Sequence, residues 1–186
     1  DSVLVLGSGP VGLSAAILSR MQGASQVLCI GAPEDRLRTA EEVGADSVLN
    51  FEVASELKRR EWVLERTQGR GADVTIEATG APEAVVQAMR FTRDAGRVVI
   101  VGQYTDHGEV GFNPHLDLNK KHLDVLGCWG SDFSHFYRAV QIMSDPEWSQ
   151  PWARIPLVRF GLEQCNEALE SVSSGEAVKA LIDPWQ

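Results

Sequence analysis

Short runs of consecutive apolar residues alternate with amphipathic stretches over the first two thirds of the chain. Runs such as residues 98–101 are apolar at every position, which is typical of strands that are covered on both faces, as in a parallel sheet. The pattern predicts strands at 3–6, 26–30, 47–49, 73–77, 97–101 and 123–126, and helices at 11–21, 34–43, 53–66 and 82–91. This alternation predicts an α/β fold with a doubly wound parallel sheet.

The pattern changes after about residue 128. Four apolar side chains at helical spacing predict an amphipathic helix over residues 132–144, capped by Ser131 or Asp132: Phe133, Phe136, Tyr137 and Val140. Residues 145–156 contain three prolines and no periodicity, and we expect irregular structure there. Another helix, with Cys165, Ala168, Leu169 and Val172 on one face, and a strand at 178–182 follow. We therefore expect a domain at 1–128 and a small helix and strand extension at 129–186 that packs on something else.

Composition and charge exclude several classes of protein. The 186 residues are 44% hydrophobic and 23% charged, as in ordinary globular proteins. The net charge of −9 and the absence of a basic run longer than residues 58–60, which we interpret as a solvated helix face, argue against nucleic acid or an anionic membrane as partner. No apolar run of 18 residues is present, so we expect no membrane span.

The cysteines and histidines predict no metal site in this chain. Three widely spaced cysteines without a C-x-x-C pair exclude a zinc knuckle and a disulfide framework and are consistent with a cytoplasmic protein. Cys29 lies in an apolar run, where we expect a buried, inert thiol. The four histidines lack the spacing of metal ligands, and we expect ordinary surface residues: His107, His115, His122 and His135.

A glycine-rich loop follows the first predicted strand. Residues 7–12, Gly7-Ser8-Gly9-Pro10-Val11-Gly12, place the spacing G-x-G-x-x-G between a strand and a helix, which favours a dinucleotide-binding loop. Gly7 allows the tight turn, Gly9 lets the backbone approach a pyrophosphate, and Gly12 lets the helix pack closely on the strand. Pro10 has no N–H, so Gly9, Val11 and Gly12 must supply the donors. The alternative is a tight turn that binds nothing.

The acidic residue that often ends the second strand of a dinucleotide site is missing. Gly31 occupies the place where a carboxylate would bind the ribose hydroxyls. We expect Glu34 and Asp35 to stabilise the dipole of the following helix. Arg36 and Arg38 are close enough in sequence to pair with a 2′-phosphate, which favours NADP(H) over NAD(H). Alternatively, the arginines are solvated and the site accepts either cofactor.

Five stretches together resemble one family of enzymes: VLGSGPVGL, RLRTAEEVGAD, GRGADVTIEATG, AGRVVIVG and NEALESVSSGEAVKALIDP. In this order they resemble the cofactor domain and C-terminus of medium-chain, zinc-type alcohol and polyol dehydrogenases. The resemblance implies a Rossmann fold and hydride transfer between a nicotinamide cofactor and an alcohol or its carbonyl. It also implies a preceding catalytic domain with the zinc ligands, none of which has a counterpart here. The chain begins directly in a strand, and we expect a fragment that alone binds cofactor but is inactive.

The resemblance also implies roles for individual residues. Gly31 takes the place of the acidic ribose ligand, and Arg36 matches a basic residue near the adenosine ribose. Val11 would pack behind the nicotinamide, and Lys179 would reach the pyrophosphate. The remaining matched residues border the ribose, the nicotinamide and its carboxamide: Ala78, Thr79, Val101, Gly102, Gln103 and Cys128. Family members commonly form homo-oligomers through the last edge strand, here 122–127.

Three other functions remain open. A zinc-free quinone or enoyl reductase uses the same domain, although its loop often resembles AGGVG rather than GSGPVG. A nucleotide-sensing Rossmann domain without catalysis would be independent of other domains, yet Trp148, Trp152 and Trp185 of this chain need covering. S-adenosylmethionine binding usually requires the acid that is missing at Gly31.

Overall fold

A computed structural model describes residues 1–185. A six-stranded parallel sheet has the strand order β3-β2-β1-β4-β5-β6. Its strands are β1 (Ser2–Leu6), β2 (Gln26–Gly31), β3 (Ser47–Asn50), β4 (Ala72–Glu77), β5 (Thr92–Ile100) and β6 (Asp124–Gly127). The connecting helices are α1 (Pro10–Met21), α2 (Glu34–Val43), α3 (Glu56–Arg66) and α4 (Pro82–Phe91). This strand order confirms the predicted doubly wound α/β fold.

β1 and β2 are buried on both faces, as the continuous apolar runs predict, whereas Val74, Ile76 and Val99 of β4 and β5 are only half-buried. Val3 and Val5 of β1 join one apolar cluster with Leu13 of α1 and Leu37 of α2. The intervening Leu4 and Leu6 join a second cluster that includes residues of α3 and α4. Alternate side chains of one strand thus enter opposite layers, and both faces of β1 are packed against apolar side chains.

The carboxyl ends of the central strands form the edge on which the candidate site lies. The strand order reverses between β1 and β4, which opens a crevice at that edge. Backbone hydrogen bonds fix the loops there: Gly7 N–H donates to the Ile30 carbonyl at 2.7 Å, and Ala78 N–H donates to the Leu6 carbonyl at 2.8 Å. The loops after β1, β2 and β4 therefore start from a rigid frame.

Two predicted boundaries in the sheet domain are wrong. α3 begins at Glu56 rather than residue 53, because the Ser55 side chain accepts a hydrogen bond from Lys58 N–H and caps the helix. β5 begins at Thr92 rather than residue 97, and its register with β4 shifts between Ala72 and Val74. A π-helical segment at Pro114–Asn119 was not predicted.

The C-terminal segment, residues 129–185, contains α5 (Phe133–Ser144), α6 (Pro146–Ala153), β7 (Leu157–Gly161), α7 (Cys165–Ser173) and β8 (Lys179–Asp183). β7 and β8 form a separate two-stranded parallel sheet. Asp132 caps α5, as one of the two predicted alternatives. The prediction of irregular structure over 145–156 is wrong: Asp145 caps α6 by accepting hydrogen bonds from Glu147 and Trp148 N–H, and Pro146 lies in its first turn. A proline at that position does not interrupt a helix.

Candidate functional site: a dinucleotide cleft

The loop after β1 requires glycine at two positions. Gly7 has a φ of +109°, and a Cβ there would lie 2.8 Å from the Ala78 carbonyl oxygen. A Cβ on Gly12 would lie 2.0 Å from the Gly7 carbonyl oxygen. A Cβ on Gly9 would meet nothing within 4 Å among the described residues, so this glycine faces open space. The geometry is that of the predicted loop: two glycines serve packing, and the third leaves room for a ligand.

The N-terminus of α1 is open to an anion. Within residues 1–185, no side chain caps this helix, and its first turn contains no acidic residue. The N–H groups at such a helix end and the helix dipole both favour a negatively charged ligand. Pro10 is the first residue of α1, so Val11 and Gly12 are the nearest following donors, as predicted.

A cleft of about 530 Å³ lies between the loops after β1, β2, β3 and β4. We call it the glycine-loop cleft. It brings together seven of the predicted site residues: Gly7, Ser8, Gly9, Gly31, Arg36, Ala78 and Thr79. Its wall also includes Phe51 and Arg59, which the sequence did not single out.

Ser8 explains why position 31 is glycine. The Ser8 side chain is buried, and its hydroxyl donates to the Ala32 carbonyl at 2.9 Å. A Cβ on Gly31 would lie 2.4 Å from the Ser8 Oγ. An acidic residue at position 31 would therefore collide with Ser8. The packing of Ser8 thus explains why the carboxylate that would bind the ribose is missing.

Arg36 lies in the cleft wall but also holds the C-terminal segment. Its Nη2 donates to the Gly175 carbonyl at 2.9 Å and to the Ala177 carbonyl at 3.1 Å. Arg38 is exposed and does not line the cleft. Glu34 and Asp35 lie in the first turn of α2, where they favour the helix dipole as predicted.

The buried carboxylate of Glu77 organises the two loops on the other side of the cleft. Its Oε1 accepts hydrogen bonds from Thr79 N–H at 2.7 Å, Thr79 Oγ1 at 2.6 Å and Gly80 N–H at 3.0 Å. Its Oε2 accepts from Gly102 N–H at 3.2 Å. One fully buried side chain thus fixes the loops after β4 and β5 together. Sequence reasoning missed this role, although an acidic residue at the end of an apolar strand was a signal for it.

The remaining predicted residues do not line the glycine-loop cleft. Val11 and Val101 line a second, apolar cleft beside α1. Lys179 shares a small cavity with Pro10, which brings it beside the glycine loop. Cys128 is exposed, and its N–H donates to the Ile100 carbonyl at 2.9 Å. Gln103 follows Gly102 in the loop after β5.

Unpaired donors test whether these residues fit a dinucleotide. In the part of the chain that the structure describes, three buried side-chain nitrogens have no hydrogen-bond partner: Arg36 Nε, Arg59 Nε and Gln103 Nε2. Two of them belong to residues of the glycine-loop cleft, and the third lies in the loop after β5. Buried donors are normally paired. The cleft therefore has the open helix end, the space at Gly9 and the spare donors that a phosphate-bearing ligand needs.

Two structural features are absent from residues 1–185, namely a cluster of possible metal ligands and a membrane-spanning helix. No group of three or more histidine, cysteine, aspartate or glutamate side chains is placed to hold a metal ion. Burial raises the pKa of the Cys29 thiol to about 12, which keeps it protonated and inert, as predicted. No helix in this range has both the length and the apolar character needed to cross a membrane.

Comparison with known proteins identifies the family. The sequence model of the zinc-binding dehydrogenase family matches residues 10–145. The chain is 32% identical over 183 residues to 5-exo-hydroxycamphor dehydrogenase of Pseudomonas putida, covering 98% of this chain and 50% of that protein. The chain thus spans about half the length of the curated relatives it matches.

Solved structures agree. An alcohol dehydrogenase of Thermotoga maritima superposes with a TM-score of 0.90 at 35% identity, over 97% of this chain and 49% of that one. A protein of Sinorhizobium meliloti 1021, described as a zinc-binding dehydrogenase and bound to NADP, superposes with a TM-score of 0.84 at 28% identity, over 98% of this chain and 52% of that one. The chain belongs to the zinc-binding dehydrogenase family, of which it represents the cofactor-binding portion.

Proposed function

We propose that this chain binds NADP(H) for an oxidoreductase that interconverts an alcohol or polyol and its carbonyl by hydride transfer. The observation that supports it most strongly is the glycine-loop cleft, where the open end of α1, the space at Gly9 and two arginines meet. The missing carboxylate at Gly31 and the positive charges of Arg36 and Arg59 favour a 2′-phosphate. The NADP bound to the S. meliloti relative is in keeping with this choice.

We assign the ends of the cofactor from the chemistry of the two clefts. The adenosine half occupies the glycine-loop cleft, with the pyrophosphate at Gly9, Val11 and Gly12. The nicotinamide lies against Val11 and Val101, whose apolar side chains exclude water from one face of the ring. In this assignment Gln103 Nε2 and the backbone near Cys128 bind the carboxamide, which the unpaired Nε2 supports. Lys179 reaches the pyrophosphate from the side of Pro10, which the cavity that the two residues share supports.

The chemical step belongs to the whole protein. We propose that residues 1–128 form the cofactor domain and that 129–186 pack against a preceding catalytic domain, as the half-length coverage of the relatives suggests. The zinc of that family would polarise the oxygen of the small-molecule substrate. Residues 1–185 would orient the nicotinamide, and they contain no group of three or more side chains placed to hold the metal. The chain alone is expected to bind cofactor without turnover.

Calorimetric titration with NADPH and NADH tests the binding proposal. We expect NADPH to bind more tightly than NADH by about tenfold or more, since a charge-assisted hydrogen bond contributes at least that factor. Circular dichroism would establish that the sample is folded. A folded sample that releases no heat with either cofactor would contradict the proposal.

We also propose that the whole protein forms a homo-oligomer through residues 122–127. In the described chain β6 pairs with β5 along one edge, and its other edge has no strand partner. Leu126 in this strand is about half exposed. An unpaired edge of this kind can add a strand from a second copy. Light scattering is expected to show a dimer or larger assembly that Leu126→Lys weakens, and a strict monomer would contradict the proposal.

A further inference from the structure

Arg59 lines the glycine-loop cleft, although the sequence pattern did not predict a role for it there. It belongs to the basic run 58–60 on α3, interpreted from the sequence as a solvated face. Lys58 and Arg60 are indeed exposed, but Arg59 is half-buried and lines the cleft. The three cations are therefore not equivalent.

Backbone contacts place the Arg59 guanidinium close to the end of β2. Its Nη1 donates to the Phe51 carbonyl at 3.2 Å. The Phe51 N–H in turn donates to the Gly31 carbonyl at 3.1 Å. Arg59 is thus linked through one residue to Gly31, the position at which a dinucleotide site distinguishes ribose hydroxyls from a 2′-phosphate.

The Arg59 guanidinium still has an unused donor. Its Nε is shielded from solvent and has no hydrogen-bond partner among residues 1–185. A guanidinium has donors only and cannot lose its proton, so this buried N–H is available to an acceptor, and an anion gives the stronger, charge-assisted hydrogen bond. Arg36 Nε is unpaired in the same way, but its Nη2 is committed to the carbonyls of Gly175 and Ala177.

The charges around the cleft favour an anion at this place. Among the described residues that line it, Glu83 is the one acidic side chain, against Arg36 and Arg59. Glu34 lies outside the lining and within 3.5 Å of the Asn50 amide. Because Ser8 fills the space beside Gly31, no carboxylate can enter there to repel a phosphate.

We propose that Arg59 is the specificity-determining residue that binds the adenosine 2′-phosphate of NADP(H), with Arg36 as an auxiliary donor. This inference rests on the proposed function, because it requires the adenosine half of the cofactor in the glycine-loop cleft. It assigns the discrimination between NADP(H) and NAD(H) to α3, where the resemblance to the family had pointed to α2.

Cofactor affinities of the Arg59→Ala variant test the assignment. We expect the Kd for NADPH to rise about 10- to 100-fold, the effect of losing a charge-assisted hydrogen bond to a phosphate. The Kd for NADH should change less than about twofold, because NADH has no 2′-phosphate. 2′-AMP and 5′-AMP should show the same contrast as competitors. Arg60→Ala, which removes the adjacent exposed guanidinium, is the matched control and should alter neither affinity.

Conservative variants separate recognition from folding. Arg59→Lys keeps the charge without the planar fork and should lose part of the NADPH preference. Arg59→Gln keeps a donor that can reach the Phe51 carbonyl, so it preserves the contact that the fold uses. It should lose most of the preference for NADPH over NADH, because it has no positive charge. If Arg59→Gln retains the wild-type ratio of NADH to NADPH affinities, the assignment is wrong.

The outcomes distinguish this inference from the proposed function. Wild-type protein that is folded and binds neither cofactor contradicts both. Wild-type protein that prefers NADPH, with the preference unchanged in Arg59→Ala, contradicts only the assignment to Arg59. Equal weakening of NADPH and NADH in Arg59→Ala also contradicts it, since a residue that only shapes the cleft would affect both cofactors. Selective loss of NADPH affinity supports it.

Discussion

The sheet domain and the C-terminal segment bury very different shares of their residues. In β1 and β2, Leu4, Val5 and Leu28 are 0% exposed. In residues 129–185, the buried positions are only Gly161, Ala168, Ala177 and Val178. α5 contains no buried residue, and its apolar Phe133 is 78% exposed. Equally amphipathic sequence therefore leads to a core in one region and to an uncovered surface in the other.

The C-terminal segment is attached by apolar and polar contacts. Val178 belongs to the first apolar cluster, and Trp152 and Ile155 pack against it. Trp152 Nε1 donates to the Ser14 Oγ at 3.1 Å, and Arg154 Nη1 donates to the Glu42 carbonyl at 2.7 Å. Arg36 adds its bonds to Gly175 and Ala177. All three contacts are made with α1 or α2. The comparison shows that hydrophobic periodicity predicts which face of a helix is apolar. It does not predict that the surface covering this face belongs to the same stretch of chain.

The largest expected difference between the two regions is in the stability lost when a leucine of each is replaced by alanine. Leu4→Ala should lower the free energy of unfolding by about 2–5 kcal/mol, since it removes a fully buried side chain and leaves a cavity. Leu169→Ala, in α7 and 71% exposed, should cost less than about 0.5 kcal/mol. Urea denaturation of both variants measures the contrast. Equal losses would show that the C-terminal segment has a core of its own.

The next effect concerns the loops that Glu77 holds. Glu77→Ala leaves the Thr79 and Gly80 N–H groups without their acceptor, while the Gly102 N–H keeps the main-chain carbonyl of residue 77 at 3.0 Å, and should destabilise the protein by about 2 kcal/mol. Glu77→Gln keeps the amide oxygen as an acceptor and should cost less. Hydrogen exchange should rise at Thr79 and Gly80 in the alanine variant, with little change in the C-terminal segment. Protection that stays unchanged at these two amides would contradict the role given to Glu77.

The third prediction concerns pH and the contact between β1 and β4. Burial alone would raise the pKa of the Asp73 carboxyl, but hydrogen bonds from Arg93 and Ser2 outweigh it and hold this pKa well below its usual value. The folded state therefore favours the ionised form, and its stabilising contribution is present above the unfolded value of about 3.9. This contribution decreases as the pH falls below that value toward the folded pKa.

Asp73→Asn should accordingly lower the free energy of unfolding by about 1.5 kcal/mol at pH 7, which is the contribution of a hydrogen bond to a charged group. The difference from wild type should shrink as the pH falls below about 4. Unfolding curves of both proteins at pH 3–7 measure this dependence. The exposed Asp124→Asn is the matched control, and its side chain is 68% exposed. A difference that stays constant with pH would contradict the role of the charge.

The smallest expected effect is on the attachment of the C-terminal segment. Trp152→Phe keeps an aromatic ring against the first apolar cluster but removes the hydrogen bond to Ser14. We expect the stability of the C-terminal segment to fall by about 1 kcal/mol or less. Hydrogen exchange should become faster only in residues 146–161. Exchange in β1 and β4 should stay unchanged. If those strands also lose protection, the two regions unfold together and the distinction drawn between them fails.

The sequence predicted the sheet domain well because its signals are local. The bounds of α2 and α4 agree exactly with the prediction, since Pro82 and the helical periodicity lie within the segments themselves. The glycine loop was recognisable from its position between a strand and a helix. The doubly wound α/β class then followed from the alternation of strands and helices.

Features that depend on distant contacts were not predictable in this way. The collision between Ser8 and a Cβ at position 31 joins residues of two different loops. Arg36 contacts carbonyls that lie 139 and 141 residues away. The sequence does not distinguish Arg59 from Lys58 or Arg60. Only the structure shows that Arg59 of α3 lines the cleft while its two neighbours are exposed. α6 was missed for another reason, because three prolines and the lack of periodicity over 145–156 were interpreted as irregular structure, although Pro146 occupies the first turn of the helix.

The strand order also determines the sequence of events as a ribosome releases the chain. β1, β2 and β3 are consecutive neighbours, so half of the sheet can pair as soon as residue 50 has emerged. The second edge of β1 must wait for β4, which pairs Val3 with Val74. Until then the nascent protein exposes a long apolar edge, the kind of surface that recruits chaperones or other strands. Translation that is slow between β3 and β4 would prolong this interval and raise the risk of aggregation.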